Sequence, residues 1–317
     1  MKFAAGVSGI VLIFLAVPGV ARVEGPVIDI HLHVWPEQWF PAPPHGYPAA
    51  GLEGAETQNK QIAGTIAEME KHGVVLGLVS EVPGDMERLV SRDPERFWPF
   101  PLFDAPSLRP GAKPLDLDVL EHNLASGEWR GIGELPTQYN GLSPTGELLW
   151  PYYALAERRE VPIFAHTGLS FPGITRIDPK FRADLGRPLQ WEEVLVKHPD
   201  LRIVLMHAGW PYLDEMIAIM GTYPNVYVDT GAVVHLISPR EFYRFFGVLI
   251  DVGFGGRILF GSDQMGWPGA IGYGIEVIED APWDEKVKRD VLYNNAARFL
   301  GLSDETIAAH HAAVGEK

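Results

Sequence analysis

The chain of 317 residues contains no cysteine and is short of positive charge, with 26 Lys and Arg against 41 Asp and Glu. Without a thiol there is no disulfide framework, zinc ribbon, iron–sulfur cluster or cysteine nucleophile. A formal net charge of −15 argues against a nucleic-acid binder, which must offset phosphate charge with Lys and Arg. Phosphate-cradling and nucleophile-elbow motifs are missing too. There is no Walker loop, no full Gly-x-Gly-x-x-Gly after a strand, no Gly-x-Ser-x-Gly and no His-Glu-x-x-His. Beyond the first residues no run is apolar for long enough to span a bilayer. What remains is the composition of an ordered globular protein, 46% hydrophobic and 21% charged.

The first residues read as an address. Lys2 precedes an apolar run from Phe3 to Val20, Pro18 breaks it, and Gly19 and Ala21 are small residues two apart, as signal peptidase requires. Residues 1–21 are expected to be a signal peptide cleaved after Ala21, leaving an exported protein, periplasmic or secreted, with no membrane attachment. An uncleaved anchor is the alternative, but Gly6, Ser8, Gly9 and Pro18 make a poor one.

The rest of the chain alternates short β-branched runs with helical patterns. The expected strands are Val27–His33, Val74–Ser80, Phe97–Phe103, Gly131–Glu134, Val161–His166, Leu201–His207, Val226–Asp229 and Arg257–Phe260. Helical periodicity follows each of them. Strict alternation predicts a parallel sheet, and eight units without a linker predict an α/β fold of one (β/α)8 TIM barrel over residues 22–302. Residues 303–317 read as a frayed C-terminal tail. Two long connections, Trp35–Ala55 and Thr167–Arg187, follow strands and so fall on the catalytic face.

The chemistry sits at strand ends. In Asp29-Ile30-His31-Leu32-His33 the two histidines share one side of a strand, their imidazoles about 7 Å apart along it, within reach of one metal ion. His166 closes Val161-Pro162-Ile163-Phe164-Ala165, and His207 closes Ile203-Val204-Leu205-Met206. An imidazole buried there needs a partner. Asp263 follows Ile258-Leu259-Phe260-Gly261-Ser262, where a carboxylate also needs one, although it could equally cap the next helix. A barrel brings all five to one rim. Nitrogen and oxygen donors without sulfur suit Zn²⁺ first, then Mn²⁺ or Fe²⁺.

This order resembles the amidohydrolase superfamily, in particular its amidohydrolase-related (amidohydrolase 2) branch of metal-dependent TIM-barrel hydrolases and decarboxylases. The matching pieces are Ile28-Asp29-Ile30-His31-Leu32-His33-Val34-Trp35, Gly131-Ile132-Gly133-Glu134, Phe164-Ala165-His166-Thr167-Gly168, Met206-His207-Ala208-Gly209-Trp210, Phe260-Gly261-Ser262-Asp263 and Asn294-Asn295-Ala296-Ala297-Arg298-Phe299-Leu300-Gly301. The resemblance spans about residues 27–302 and implies that His31, His33, His166 and Asp263 hold the metal. Asp263 would also accept a proton from the metal-activated water, and His207 would act as an acid or polarising group. The departure is Glu134, which stands where some branches bridge two metals with a modified lysine. It either bridges a second ion, with His207 as a ligand, or anchors the interior through hydrogen bonds. One ion is expected rather than two.

The activity so implied is hydrolysis of an ester, lactone or amide bond in a small organic substrate. The alternatives are metal-dependent decarboxylation of an aromatic or unsaturated acid and a non-catalytic exported ligand-binding protein. A decarboxylase needs a carboxylate clamp, for which Arg176 and Arg182 are the candidates. Trp35, Trp39, Phe40, Tyr47, Tyr139, Phe171, Trp210, Met265 and Trp267 on the rim loops suggest a flat or cyclic molecule. Glu81, Asp104 and Asp229 read as partners of the histidines or as helix caps. The sequence leaves the oligomeric state open, a homo-oligomer being possible and a dimer the common case.

Overall fold

The computed structural model describes residues 24–43, 50–103 and 113–315. The expected signal peptide, residues 1–21, and the residues Tyr47 and Asp104 lie outside the described residues. Eight parallel strands run in chain order: β1 Val27–Leu32, β2 Val74–Glu81, β3 Phe97–Pro101, β4 Ile132–Leu135, β5 Ile163–His166, β6 Ile203–Met206, β7 Val226–Asp229 and β8 Ile258–Leu259. They form two arcs, β1-β2-β3 and β4-β5-β6-β7-β8. Backbone hydrogen bonds join the arcs at both seams. Arg130 N–H donates to Pro99 O (3.1 Å) and Phe103 N–H to Glu134 O (3.0 Å), while Ile30 N–H donates to Phe260 O (3.0 Å) and Asp263 N–H to His31 O (2.9 Å). The result is the TIM barrel that the alternation predicts.

Two apolar layers hold it. Ile28, Ile30, Leu76, Leu78, Phe100, Phe164, Val204, Met206 and Leu259 form the inner one. Phe100 and Phe164, from strands that are not neighbours, meet across it with ring centres 4.9 Å apart. Tyr293, Ala296, Ala297 and Phe299 fill its base, and Asn295 fastens that segment by donating to Gly255 O (2.8 Å) and Ile258 O (2.7 Å). The outer layer joins the other strand faces, such as Val79, Ile163, Leu205 and Val228, to the helices. Those helices start where their caps are. Thr57 Oγ1 accepts from Lys60 N–H (3.2 Å) ahead of Gln58–Lys71, and Asp116 Oδ1 from Val119 N–H (3.1 Å) ahead of Leu117–Ser126. Each satisfies a backbone donor that the helix leaves unpaired.

The chain then runs through Glu285–Arg289, a wider turn at Asp290–Asn294, and Asn295–Leu300. One C-terminal expectation changes. The tail is a helix, Asp304–Gly315, with no buried residue. It is tied back where Tyr293 Oη meets His310 Nδ1 at 3.0 Å.

Candidate metal centre

Strand alternation alone does not deliver the ionisable residues to the barrel interior. In β1 the pairing register with β2 shifts between Asp29 and Leu32. Below the shift Ile28 and Ile30 face inward. Above it Leu32 and Val34 belong to the outer layer, so His31 and His33 take the inner side, as a bulge allows. A second shift, between Ile132 and Leu135 in β4, turns Glu134 inward between two outward residues. His166 follows Phe164 by simple period two. His207 follows the inward Met206 and would point out, but its φ is +60°. Asp263 turns in the same manner at φ +50°, and Ala208, Ala232 and Met265 also carry positive φ. Such conformations cost roughly 1–3 kcal/mol each and persist only where the surroundings impose them.

All five expected donors and Glu134 meet. His31 Nε2 lies 3.0 Å from His33 Nε2 and 3.6 Å from Asp263 Oδ1. His33 Nε2 is 3.4 Å from the same oxygen and 3.5 Å from Glu134 Oε2. The other Glu134 oxygen, Oε1, sits 2.6 Å from His166 Nδ1 and 3.4 Å from His207 Nε2. His207 Nε2 and His166 Nδ1 are 3.0 Å apart. Two compact groups able to hold an ion result, His31 with His33 and Asp263, and Glu134 with His166 and His207; His31, His207 and Asp229 form another. Every one of these side chains is buried, and Asp263 Oδ1 has no hydrogen-bond partner.

Charge explains why imidazoles and carboxylates tolerate this crowding. Burial opposes protonation of His207, but its hydrogen bond with Glu134 and the charges of Glu134, Asp263 and Asp229 outweigh it and push the imidazole up to about 10. His33 is likewise pushed up to about 9, against burial, by Glu134, Asp263 and Glu81. Burial and the neighbouring His207 push His166 down. Burial works against the Glu134 carboxylate too, yet the charge of His166 and hydrogen bonds from His166, His207 and His33 hold it well below the ordinary carboxylate range. Asp263, also buried, is held down by His31, His33 and His207. The buried carboxylates draw positive charge onto the imidazoles around them, the same pull that a bound cation would answer.

Supporting residues were partly legible. Asp229, one of the strand-end carboxylates, accepts from His31 Nδ1–H at 2.7 Å. Glu81 accepts from Val82 N–H at 2.8 Å just ahead of the helix Pro83–Val90, and its charge also acts on His33. Sequence reasoning missed three buried residues. Gln264 brackets His33, accepting from its N–H (3.0 Å) and donating to its carbonyl (2.8 Å). Gln61 donates to the same carbonyl at 3.0 Å. His235 Nε2 lies 3.3 Å from Asp263 O. Gln61 was findable, since it is a polar side chain on a buried helix face with Gln58, Ile62, Thr65 and Met69 and so needs a partner. The rim aromatics split. Trp35 packs edge-on against Trp267 (4.9 Å) and Trp39 (5.5 Å), so those rings support one another. Tyr139 instead stands edge-on to His166 at 4.9 Å, its hydroxyl donating to Ser170 at 2.9 Å. Phe171 is exposed.

Known proteins fit this arrangement. The amidohydrolase family model matches residues 28–302. A curated relative, the protein fluG of Emericella nidulans, is 26% identical over 166 residues, 47% of this chain and 18% of its own length; this chain thus spans less than a fifth of it. In fold the chain is similar to a TIM-barrel protein of Bordetella bronchiseptica (TM-score 0.67, 20% identity, 87% and 98% of the two chains). It is also similar to a probable 2-pyrone-4,6-dicarboxylic acid hydrolase of Acinetobacter baumannii (0.62, 13%, 87% and 99%). A dihydroxybenzoic acid decarboxylase of Polaromonas, with manganese bound, is similar at 0.58 (17%, 88% and 98%). With the matched span covering both groups of ligand-type side chains, the chain belongs to the amidohydrolase family of metal-dependent TIM-barrel enzymes.

Proposed function

We propose that the protein is a metal-dependent hydrolase that opens an ester, lactone or amide bond in a small organic molecule. The observation that carries this reading is the placement of Glu134, whose Oε2 faces His33 at 3.5 Å and His31 at 3.9 Å while Oε1 faces His166 at 2.6 Å and His207 at 3.4 Å. One carboxylate so placed serves two donor sets. The first is His31 Nε2, His33 Nε2, Asp263 Oδ1 and Glu134 Oε2; the second is His166 Nδ1, His207 Nε2 and Glu134 Oε1. Separations of 3.0–3.9 Å between the two imidazoles of the first set and from them to its carboxylate oxygens suit donors that share one ion at bonds of about 2.1 Å. Two ions therefore fit this chain better than the single ion expected from its sequence, and His207 becomes a ligand in place of a free polarising acid. Zn²⁺ suits the nitrogen-rich donors, with Mn²⁺ next.

When bound, a pair of such ions activates water and polarises a carbonyl. The chain's own residues supply the rest. Asp263 Oδ1 is buried, unpartnered and aimed at the imidazoles; it takes a proton from the attacking water and returns it to the leaving oxygen or nitrogen as the bond opens. Its backbone is fixed by the bond from its N–H to His31 O, so the carboxylate needs little rearrangement during reaction. Tyr139 and Ser170 wall the His166 side. Hydrolysis is favoured over decarboxylation by Arg182, whose guanidinium is tied to the carbonyls of Pro179 (2.9 Å) and Phe181 (2.7 Å) in its own loop instead of forming a carboxylate clamp. Arg176, the other candidate, is exposed.

The test is a purified, Zn²⁺- or Mn²⁺-loaded protein assayed on aryl esters, lactones and amides, with CO₂ release from aromatic and unsaturated acids measured in parallel. Elemental analysis is expected to give two ions per chain and His31→Ala or His166→Ala to lose metal. Turnover is expected only on the hydrolytic panel. CO₂ release with no hydrolysis, or full metal retention in both variants, would overturn the reading.

A further inference from the structure

Asp229 ends β7 with no exposed surface, and the proposed reaction leaves it without a task. Its oxygens face two ways. Oδ2 accepts the Nδ1–H of His31 at 2.7 Å. Oδ1 accepts the backbone N–H of His207 at 2.6 Å and of Gly231 at 3.2 Å. His31 belongs to one donor set and His207 to the other. We propose that Asp229 is the positioning residue that sets both at once: it selects the His31 tautomer whose Nε2 can bind an ion, and it anchors the backbone that turns His207 inward. The inference rests on the two-ion hydrolase reading.

The physical case has three parts. A neutral imidazole carries one proton, and only the bare nitrogen can ligate an ion. An ionised carboxylate accepts and cannot donate, so Asp229 Oδ2 keeps that proton on Nδ1. Nε2, the atom facing His33 and Asp263, is left bare. Second, the φ of +60° at His207 persists because something holds the peptide there, and the bond to Oδ1 does so. Third, the pair has no room to shift. A Cβ at Gly231 would lie 2.5 Å from His31 Nδ1 and 3.0 Å from Asp229 Oδ2, and one at Gly261 would lie 2.9 Å from the same oxygen. Two strand ends, made of glycine at both contacts, close on the pair.

Asp229→Asn tests the assignment because it keeps the shape and changes the chemistry. The amide has one oxygen. The backbone offers it two N–H donors and His31 only one, so the oxygen turns to the backbone and the NH₂ faces His31. That imidazole must then accept at Nδ1 and carry its proton on Nε2, the wrong atom for a ligand. The expected result is a roughly 10- to 100-fold loss of Zn²⁺ affinity at the first set, near-normal affinity at the second, and a shift of the His31 proton from Nδ1 to Nε2 in the ¹⁵N spectrum of histidine-labelled protein. Asp229→Ala removes the acceptor for both sets and should weaken both ions. Gly231→Ala, which leaves charge untouched, should weaken the first set by crowding the pair. Wild-type affinity for both ions in Asp229→Asn, or a His31 that keeps its Nδ1 proton there, would overturn the proposal. If the variants do not fold, the Zn²⁺-loaded wild-type spectrum decides: an Nδ1-protonated His31 supports the assignment and an Nε2-protonated one ends it. Uptake of fewer than two Zn²⁺ by the wild-type chain would sink the two-ion reading and the coupling of two sets, while the spectrum would still judge the tautomer.

Discussion

At the base of the barrel the strands alternate as period-two strands should. Ile28 and Ile30, Leu76 and Leu78, and Val204 and Met206 face inward, with the intervening residues packed toward helices or neighbouring strands. β1 slips once at its foot, between Val27 and Ile28, and at the catalytic ends the rule breaks more widely. Pairing slips in β1 and β4, and the backbone turns left-handed at His207 and Asp263. The base packs apolar side chains that need no fixed orientation beyond in or out. The rim must aim individual nitrogen and oxygen atoms at shared points a few ångströms apart, and regular geometry does not place them there. The base supplies stability by burial, and part of it is offset by strain and buried charge at the rim.

Perturbing each end should give separable outcomes. The largest effect is expected at the rim. Asp263→Asn should lower kcat by about 10²–10⁴-fold, the scale of a lost general base, while keeping most of the metal and the fold. Unchanged kinetics on a hydrolysed ester or lactone would remove Asp263 from that role. The base should respond in stability instead. Leu205 is fully buried in the outer layer of β6, and Leu205→Ala should cost about 2–5 kcal/mol in denaturant unfolding, with metal content per folded chain unchanged. Loss of ions from the folded variant would mean the two ends are not independent. The smallest effect is expected at Arg182, whose guanidinium serves only its own loop. Arg182→Ala should shift stability by no more than about 0.5 kcal/mol and leave turnover alone. A selective loss of activity on carboxylate-bearing substrates would point back to decarboxylation.

The comparison also separates what could be read in advance from what could not. The eight strands were legible because β-branched runs between helical patterns leave few other arrangements, and no bound moved by more than two residues, as with Val27–His33 against Val27–Leu32. The gathering of His31, His33, His166, His207 and Asp263 at one rim was legible because each ends an apolar run where a lone polar group would be costly. Glu134 was recognised only as an open choice between bridge and anchor. Local pattern cannot say which way a carboxylate faces when a register shift lies beside it. Gln264 was invisible for a related reason: its importance comes from His33, 231 residues away.

The amino-acid sequence by itself therefore determined the barrel, the family wording and which ionisable side chains gather at the rim, because hydrophobic periodicity and the cost of buried polar groups act locally. Tertiary structure alone decided how the donors are grouped, that Glu134 stands between two sets, and that Asp229 reaches both. Those facts depend on backbone turns and pairing slips set by contacts between strands far apart in the chain. No local preference encodes a distance of a few ångströms between residues that distant.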